Sequence, residues 1–185
     1  MNTKELDGYL KFLSEKQTAV QESGFDVEDS DLSPQLFPFQ KYCVKRALKV
    51  GRFAMFEDCG LGKTYQQLEW AQQVVNHINK PVLILAPLGV IGQTIKEGVH
   101  FGYKVTEIAL TTFDQDLDAG IYITNYDNMD NIDAYLFGGV VLDESSILKN
   151  FAGKTRTALI EDFKNTPYKL CCTATPSPND TTELC

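Results

Sequence analysis

The length, composition and charge of the chain exclude several classes of protein. Its 185 residues, of which 43% are hydrophobic and 23% charged, suit one globular domain with a sizeable core. The formal net charge of −8 argues against a strongly basic nucleic-acid module. No apolar run approaches the roughly 18 residues needed to span a bilayer, and the N-terminus lacks an apolar signal core, so we expect a cytoplasmic protein without a membrane partner.

The first 34 residues are acidic, with three lysines and eight carboxylates. Leu6, Leu10 and Leu13 have a partly helical spacing, which predicts a helix over residues 4–20. Residues 22–31 combine acids with Gly and Ser, which is typical of a solvated linker. We therefore divide the chain into an N-terminal helix with an acidic linker (residues 1–34) and a lobe (residues 35–185).

The lobe alternates helices with strands. Predicted helices cover residues 39–48, 63–78, 90–101 and 155–163. Predicted strands cover residues 53–56, 82–85, 105–110, 121–124, 140–142 and 170–173. This alternation indicates an α/β fold with a mostly parallel sheet and helices on both faces. Five basic residues cluster around the first of these helices, where a solubilising face is favoured over a stripe that follows DNA: Lys41, Lys45, Arg46, Lys49 and Arg52.

Cysteine and histidine usage gives little support to metal or triad chemistry. The cysteines are odd in number and show no C-x-x-C spacing, which favours buried reduced thiols. They are Cys43, Cys59, Cys171, Cys172 and Cys185. Cys59 lies inside the glycine-rich segment described next, where its oxidation is expected to hinder ligand binding.

A glycine-rich turn joins the first lobe strand to the helix over residues 63–78. Gly60 and Gly62, on either side of Leu61, allow the backbone to approach an anion, which the amide groups at the helix start would bind. Lys63 could reach the phosphates and the Thr64 hydroxyl could ligate Mg²⁺. Glu57 stands where the strict phosphate-loop pattern has glycine, so by itself the segment also fits an ordinary strand-to-helix turn.

Two carboxylates follow the apolar strand over residues 140–142. Asp143 and Glu144 would stand at the carboxyl edge of a parallel sheet, where ligands bind in open α/β folds. An isolated Asp-Glu pair more often meets only solvent. Downstream of a phosphate loop, however, Asp143 suits Mg²⁺ and Glu144 suits the attacking water.

A third segment ends the strand over residues 170–173 with Thr173 and Thr175, and Pro176 then stops the strand. The two hydroxyls could hydrogen-bond the acids and transmit the state of the γ-phosphate. Threonine is also common at strand ends because of its β propensity.

These segments, in this order, resemble the first lobe of superfamily 2 helicase-like ATPases, with the closest likeness to Swi/Snf-like translocases of the phage or prophage type. Residues 60–64 are similar to motif I, 143–150 to motif II and 173–176 to motif III. Residues 37–40, 82–88 and 123–126 resemble the Q motif and motifs Ia and Ib. The resemblance implies a RecA-like P-loop NTPase lobe in which the motif III strand lies between those of motifs I and II.

The resemblance also implies roles for individual residues. ATP would bind Gly60, Leu61, Gly62, Lys63 and Thr64, with Gln40 reading adenine. Lys63, Asp143 and Glu144 are the expected catalytic residues, and Thr64 and Asp143 the Mg²⁺ ligands. Ser146, Thr173 and Thr175 would couple nucleotide state to motion. Duplex or single-stranded DNA, read with little sequence preference, is expected at Pro87, Leu88, Gly89, Thr124, Asn125 and Tyr126.

Two residues depart from the family pattern. Ser146 stands where a histidine is frequent, and Thr94 lies near the place of a common tryptophan. The second RecA-like lobe, which carries the arginine finger, lies outside these 185 residues. We therefore expect ATP binding with feeble hydrolysis until a second lobe is joined. A nucleotide-gated binding module remains an alternative, and a small-molecule P-loop kinase is a weaker one.

Overall fold

The computed structural model describes residues 22–108, 117–149 and 153–176, and these form an α/β lobe. Its helices are α1 (Pro38–Val50), α2 (Lys63–Ile78), α3 (Leu88–Phe101) and α4 (Gly153–Asp162). Its strands are β1 (Arg52–Phe56), β2 (Val82–Ala86), β3 (Val105–Glu107), β4 (Ile121–Asn125), β5 (Gly139–Leu142) and β6 (Tyr168–Thr173). Short 3₁₀ helices cover Tyr126–Asn131, Ala134–Leu136 and Ser145–Lys149.

The bounds of these elements agree with the predicted ones to within two residues at almost every end. The exception is β3, which ends at Glu107 although a strand was predicted to residue 110. Residues 109 and 110 lie outside the described part of the chain.

The six strands form one sheet in the order β1-β6-β5-β2-β4-β3, and every neighbouring pair is parallel. The motif III strand β6 thus lies between the motif I strand β1 and the motif II strand β5, as the resemblance implied. Because all strands run the same way, their carboxyl ends meet at one edge of the sheet. The predicted fold class, a RecA-like lobe with a parallel sheet, is confirmed.

Apolar side chains cover both faces of this sheet. On one face, Trp70 of α2 and Leu48 of α1 are fully buried in a cluster with β2 and β4 residues. On the other face, Leu159 of α4 packs with Leu83 and Leu85 of β2. Burial on both faces explains why β2 reads as an unbroken apolar run. Among the described residues, no helix combines the length and apolar character needed to cross a membrane.

The segment that precedes α1, residues 22–36, is docked on the lobe, and we call it the N-terminal strap. Backbone N–H groups of Ser23, Gly24 and Phe25 donate to the last carbonyls of α1. These carbonyls have no N–H donor within the helix itself. A Cβ on Gly24 would lie 1.8 Å from the oxygen of Leu48, so only glycine permits this approach. The prediction of a solvated linker over residues 22–31 is therefore wrong for this backbone, because its charged composition concealed the contact.

The acids of the strap also meet the basic residues of α1. The ion pairs are Lys45 Nζ–Asp29 Oδ1 at 2.6 Å, Arg46 Nη1–Glu22 Oε1 at 2.6 Å, Lys49 Nζ–Asp26 Oδ1 at 3.2 Å and Lys49 Nζ–Glu22 Oε2 at 3.7 Å. Such exposed pairs are screened by solvent and contribute little to stability, so they orient the strap more than they stabilise it. The helix predicted over residues 4–20 lies outside the described residues, and the division of the chain at residue 34 stays a prediction.

Candidate nucleotide site

The glycine-rich turn that was predicted to bind phosphate, which we call the phosphate loop, lies between β1 and α2. Gly60 and Gly62 have φ angles of 83° and 75°, a conformation that glycine adopts without steric cost. Gly62 is the N-cap residue of α2 and has no side chain that could accept from the first-turn N–H groups. These amides carry the positive end of the helix dipole, so an anion at this place would satisfy them.

Lys63 is held on this loop by backbone oxygens. Its ammonium donates to the carbonyl oxygens of Glu57 at 2.9 Å and Asp58 at 3.0 Å. Both acceptors are neutral, and phosphate oxygens that carry charge would be stronger acceptors for the same ammonium. Thr64 follows as the second residue of α2 and is partly exposed beside the loop.

Gln40 of α1 supports the loop from behind. Its Oε1 accepts from the backbone N–H of Phe37 at 2.9 Å, and its Nε2 donates to the carbonyl of Leu61 at 2.9 Å. A Cβ on Gly62 would lie 2.5 Å from that Nε2, so the second glycine is required for packing as well as for its φ angle. Gln40 therefore joins α1 to the phosphate loop, while its reading of adenine stays a prediction.

A cavity of about 860 Å³ opens beside the glycines of the loop, and we call it the base cavity. Phe37 and Phe39 line it with rings 7° from parallel, and Phe37 keeps 65% of its surface exposed. Tyr65 of α2 and Phe101 of α3 line it from the lobe side, with ring centroids stacked 3.8 Å apart. Flat apolar walls of this kind suit an aromatic base.

Asp143 lies at the carboxyl end of β5 and is only 7% exposed. Its Oδ1 accepts a buried hydrogen bond from Gln67 Nε2 of α2 at 2.7 Å. Burial raises the pKa of the Asp143 carboxyl above its ordinary value; the bond from Gln67 and the charge of Lys63 oppose this rise, and the charge of Glu144 adds to it. The bond from Gln67 ties the phosphate-loop helix to the acidic strand end.

Glu144 adopts a left-handed backbone conformation with φ of 47°, which is uncommon for a residue with a side chain and is typical of functional sites. Thr173 Oγ1 lies 3.4 Å from Glu144 Oε2 and donates to Ser146 Oγ at 3.1 Å. The backbone N–H of Thr175 donates to the same Thr173 oxygen at 3.1 Å. The structure thus brings together the three residues that were predicted to couple nucleotide state to motion.

The sequence matches a known family over most of its length. The family model of the SNF2-related domain covers residues 44–185. The chain belongs to the SNF2-related domain family. The predicted resemblance to superfamily 2 helicase-like ATPases is therefore confirmed, and the lobe is a helicase-like ATPase lobe. A search of curated protein sequences gives no significant match.

Solved structures show the same fold at low sequence identity. The UvsW helicase from bacteriophage T4 is 15% identical with a TM-score of 0.66, over 100% of this chain and 64% of that one. The SWI2/SNF2 ATPase core of Sulfolobus solfataricus in complex with dsDNA is 21% identical with a TM-score of 0.65, over 85% and 36%. A nuclease-deletion mutant of the Type ISP restriction-modification enzyme LlaGI, in complex with a DNA substrate mimic, is 17% identical with a TM-score of 0.59, over 77% and 18%. The chain therefore spans less than two thirds of each.

The residues predicted to contact DNA divide into two groups in this SNF2-related lobe. Thr124 and Tyr126 are buried, and their hydroxyls donate within the lobe, to Ile108 O at 3.3 Å and to Asp143 O at 2.7 Å. Their side chains are therefore unsuited to a surface contact, since Thr124 on β4 and Tyr126 at the start of the next 3₁₀ helix both face the interior. The others keep part of their surface at the carboxyl ends of β2 and β4: Pro87, Leu88, Gly89 and Asn125.

Glu57 explains how the loop closes without the glycine of the strict pattern. Its Oε2 accepts from Gln66 Nε2 of α2 at 2.6 Å, and its backbone N–H donates to Thr173 O at 3.2 Å. The acid is thereby bonded to both the helix after the loop and the motif III strand.

Burial, together with a hydrogen bond to Glu57, raises the pKa of the Cys43 thiol to about 11.

The four described cysteines are free thiols. Cys172 is buried and Cys59 is exposed in the phosphate loop, so the expectation of buried thiols fails for Cys59. Its predicted sensitivity to oxidation stays a prediction.

Several site residues were missed by the sequence analysis. Gln67 carries only a weak signal, because it is one of several glutamines on the helix that begins at Lys63. Tyr65 and Phe101 carry no local signal, because the cavity they line forms only when α2 and α3 pack together. Among the described residues, no group of three His, Cys, Asp or Glu side chains is arranged to hold a metal ion.

Proposed function

We propose that this lobe binds ATP with Mg²⁺ and forms the nucleotide-binding half of a DNA-dependent ATPase that acts as a helicase or translocase when joined to a second lobe. The observation that carries the proposal is the hydrogen bond of 2.7 Å between Gln67 and Asp143. It joins the helix that begins at Lys63 to the strand that ends in two acids. A phosphate loop close to acids at another strand end of the same sheet is the arrangement that P-loop NTPases use for phosphoryl transfer.

The residues of the loop fit a nucleoside triphosphate. Gly60 and Gly62 leave the loop open to an anion, and Lys63 is within reach of it from the first turn of α2. Thr64 and Asp143 would hold Mg²⁺, which, when bound, neutralises phosphate charge. Glu144, half-buried beside Thr173, would orient the attacking water and accept its proton.

DNA is the proposed partner of the exposed edge that carries Pro87, Leu88, Gly89 and Asn125. Two of the similar structures are bound to dsDNA or to a DNA substrate mimic, which supports a nucleic-acid partner. Loop amides and small side chains contact phosphates rather than bases, so little sequence preference is expected. The choice between duplex and single-stranded DNA, the cytoplasmic location and the phage or prophage origin stay predictions.

The test measures ATP binding by calorimetry, with and without Mg²⁺, for the 185-residue chain and for Lys63→Ala. ATPase rates with and without duplex DNA follow, for this chain and for a longer chain that carries a second lobe. We expect ATP binding that depends on Lys63 and slow turnover, because an arginine finger is worth about 10³–10⁵ in rate. The longer chain should be stimulated by DNA.

The outcomes separate the alternatives. Absent ATP binding, or equal binding by Lys63→Ala, would refute the nucleotide site. ATP binding without DNA stimulation, even with the second lobe, would favour a nucleotide-gated binding module. Robust DNA-stimulated turnover by the 185 residues alone would contradict the need for a second lobe.

A further inference from the structure

A buried carboxylate lies behind the base cavity and belongs to none of the predicted motifs. Glu69, on α2, is 2% exposed. Its Oε2 accepts from the backbone N–H of Ser33 at 3.0 Å and from the hydroxyl of Tyr103, and its Oε1 accepts from Gln73 Nε2 at 2.8 Å. These donors are neutral. Burial, together with the hydrogen bond to Glu69, raises the pKa of Tyr103 far above its usual range.

This carboxylate joins three parts of the lobe that are distant in sequence. Ser33 belongs to the N-terminal strap, Glu69 and Gln73 to α2, and Tyr103 to the connection after α3. Gln73 Nε2 also donates to the strap, to Asp31 O at 2.7 Å. A buried charge is costly unless it is hydrogen-bonded. Movement of the strap away from α2 would take the Ser33 N–H from the Glu69 carboxylate, so the carboxylate holds the strap in position.

The same cluster reaches the base cavity through Tyr65. The hydroxyl of Tyr65 is hydrogen-bonded to Ser33 Oγ, and its ring stacks on Phe101. Both rings line the base cavity. Leu36 is buried at the end of the strap, and the next residue, Phe37, lines the same cavity. The distance between the two aromatic walls therefore depends on where the strap is held.

We propose that Glu69 is a positioning residue for the nucleotide base: it holds the strap against α2 and thereby sets the spacing of the aromatic walls of the base cavity. The inference rests on the proposed ATP binding but assigns to Glu69 a role that affects the base alone. Glu69 does not line the cavity and acts through Ser33, Tyr103 and Gln73. The bonds of Glu57 support the phosphate loop without the strap, and Gln40 joins the loop to the backbone of Phe37.

The experiment compares two ligands by calorimetry, ATP and inorganic tripolyphosphate, which has phosphates but no base. In Glu69→Gln one carboxylate oxygen becomes an amide that cannot accept from its donors. We expect ATP to bind about tenfold more weakly, the effect of one lost hydrogen bond to a charged group, and tripolyphosphate to bind as before. The matched control is Glu107→Gln, which removes the same charge from an exposed residue of β3 and should change neither affinity.

The two affinities together show whether Glu69 positions the base. Equal weakening of both ligands, or no weakening of ATP, would overturn the role of Glu69. Thermal unfolding of each variant shows whether it is folded. If Glu69→Gln is not, Tyr103→Phe removes one donor and leaves the carboxylate with the others. A base-selective loss of about threefold is then expected, and its absence would refute the proposal. Wild-type chain that binds neither ligand would instead overturn the proposed function itself.

Discussion

The two ends of the candidate site are built in different ways. At the phosphate end, the loop, Lys63 and Asp143 are held by short hydrogen bonds to neighbouring backbone and side chains, among them the bond of 2.7 Å from Gln67. At the base end, the walls are aromatic rings, and Phe37 leaves 65% of its surface exposed. The polar groups that hold those rings lie behind them, around Glu69.

This difference has a consequence for variants. Changes at the phosphate end should affect every ligand that carries phosphates, because the interactions there are with charge. Changes at the base end should affect only ligands that carry a base. Inorganic tripolyphosphate, compared with ATP, therefore distinguishes the two ends.

The largest effect is expected for Lys63→Ala. Loss of the ammonium removes charge-assisted hydrogen bonds to the phosphates, so ATP and tripolyphosphate should both bind at least about 100-fold more weakly. Calorimetry measures both affinities, and Lys80→Ala, an exposed lysine just after α2, is the control. A loss confined to ATP would contradict the assignment of Lys63 to the phosphate end.

Asp143→Asn should abolish the gain in ATP affinity that Mg²⁺ provides and should stabilise the fold. Because the pKa of the folded carboxyl is raised from 3.8, the folded state favours the protonated form. The charge then destabilises the wild type progressively as pH rises above that value. The variant should therefore exceed the wild type in unfolding free energy at pH 7, and the gap should close as the pH falls toward 4.

Urea unfolding in Mg²⁺-free buffer across this pH range measures the gap, with the exposed Asp130→Asn as control. A variant that is less stable than the wild type at pH 7 would show that the bond from Gln67 outweighs the cost of burial.

Gln67→Ala should destabilise the lobe and weaken its response to Mg²⁺. It leaves the buried Asp143 oxygen without its donor, a loss that costs about 1–3 kcal/mol. Gln72→Ala on the same helix, whose side chain bonds only Asn76 near the surface, is the matched control. Unfolding free energies and Mg²⁺-dependent ATP affinities measure the two effects. Equal stabilities of the two variants would remove Gln67 from the site.

The smallest effect is expected for Phe37→Ala. One stacked aromatic contact is worth about 0.5–1.5 kcal/mol, so ATP should bind about fivefold more weakly while tripolyphosphate binds unchanged. The matched control is Tyr135→Ala, which removes a comparably exposed ring (77% exposed) from the 3₁₀ helix Ala134–Leu136. If Phe37→Ala binds ATP as the wild type does, the base lies elsewhere and the base cavity has another use.

The phosphate end was the more predictable of the two. The turn at Gly60–Gly62 and the acids at 143 and 144 can be predicted from consecutive residues, because backbone geometry and strand ends are local properties. The base end was predicted only in residues 37–40, where Gln40 alone was given a role. Tyr65, Phe101 and Glu69 look like ordinary helix residues until α2, α3 and the strap pack together.

The same contrast explains the corrected predictions. The acidic strap looked solvated because composition reports side chains, whereas its docking depends on backbone N–H groups that meet the last carbonyls of α1. Thr124 and Tyr126 looked like surface residues because they stand near a strand end. Thr124 on β4 and Tyr126 in the following 3₁₀ helix both direct their hydroxyls inward, to backbone oxygens of Ile108 and Asp143.

By itself, the sequence determined the alternation of strands and helices, the phosphate loop and the order of the motifs, because each depends on residues close together along the chain. Tertiary structure alone decided the positions of β2, β3 and β4 in the sheet, the partner of Asp143 and the burial of Glu69. Those features depend on pairs such as Ser33 with Glu69 or Gln67 with Asp143, which lie far apart in sequence and meet only when the parallel sheet has formed. A hydrogen bond between distant residues leaves no periodic pattern in the sequence, and so only the packed lobe reveals it.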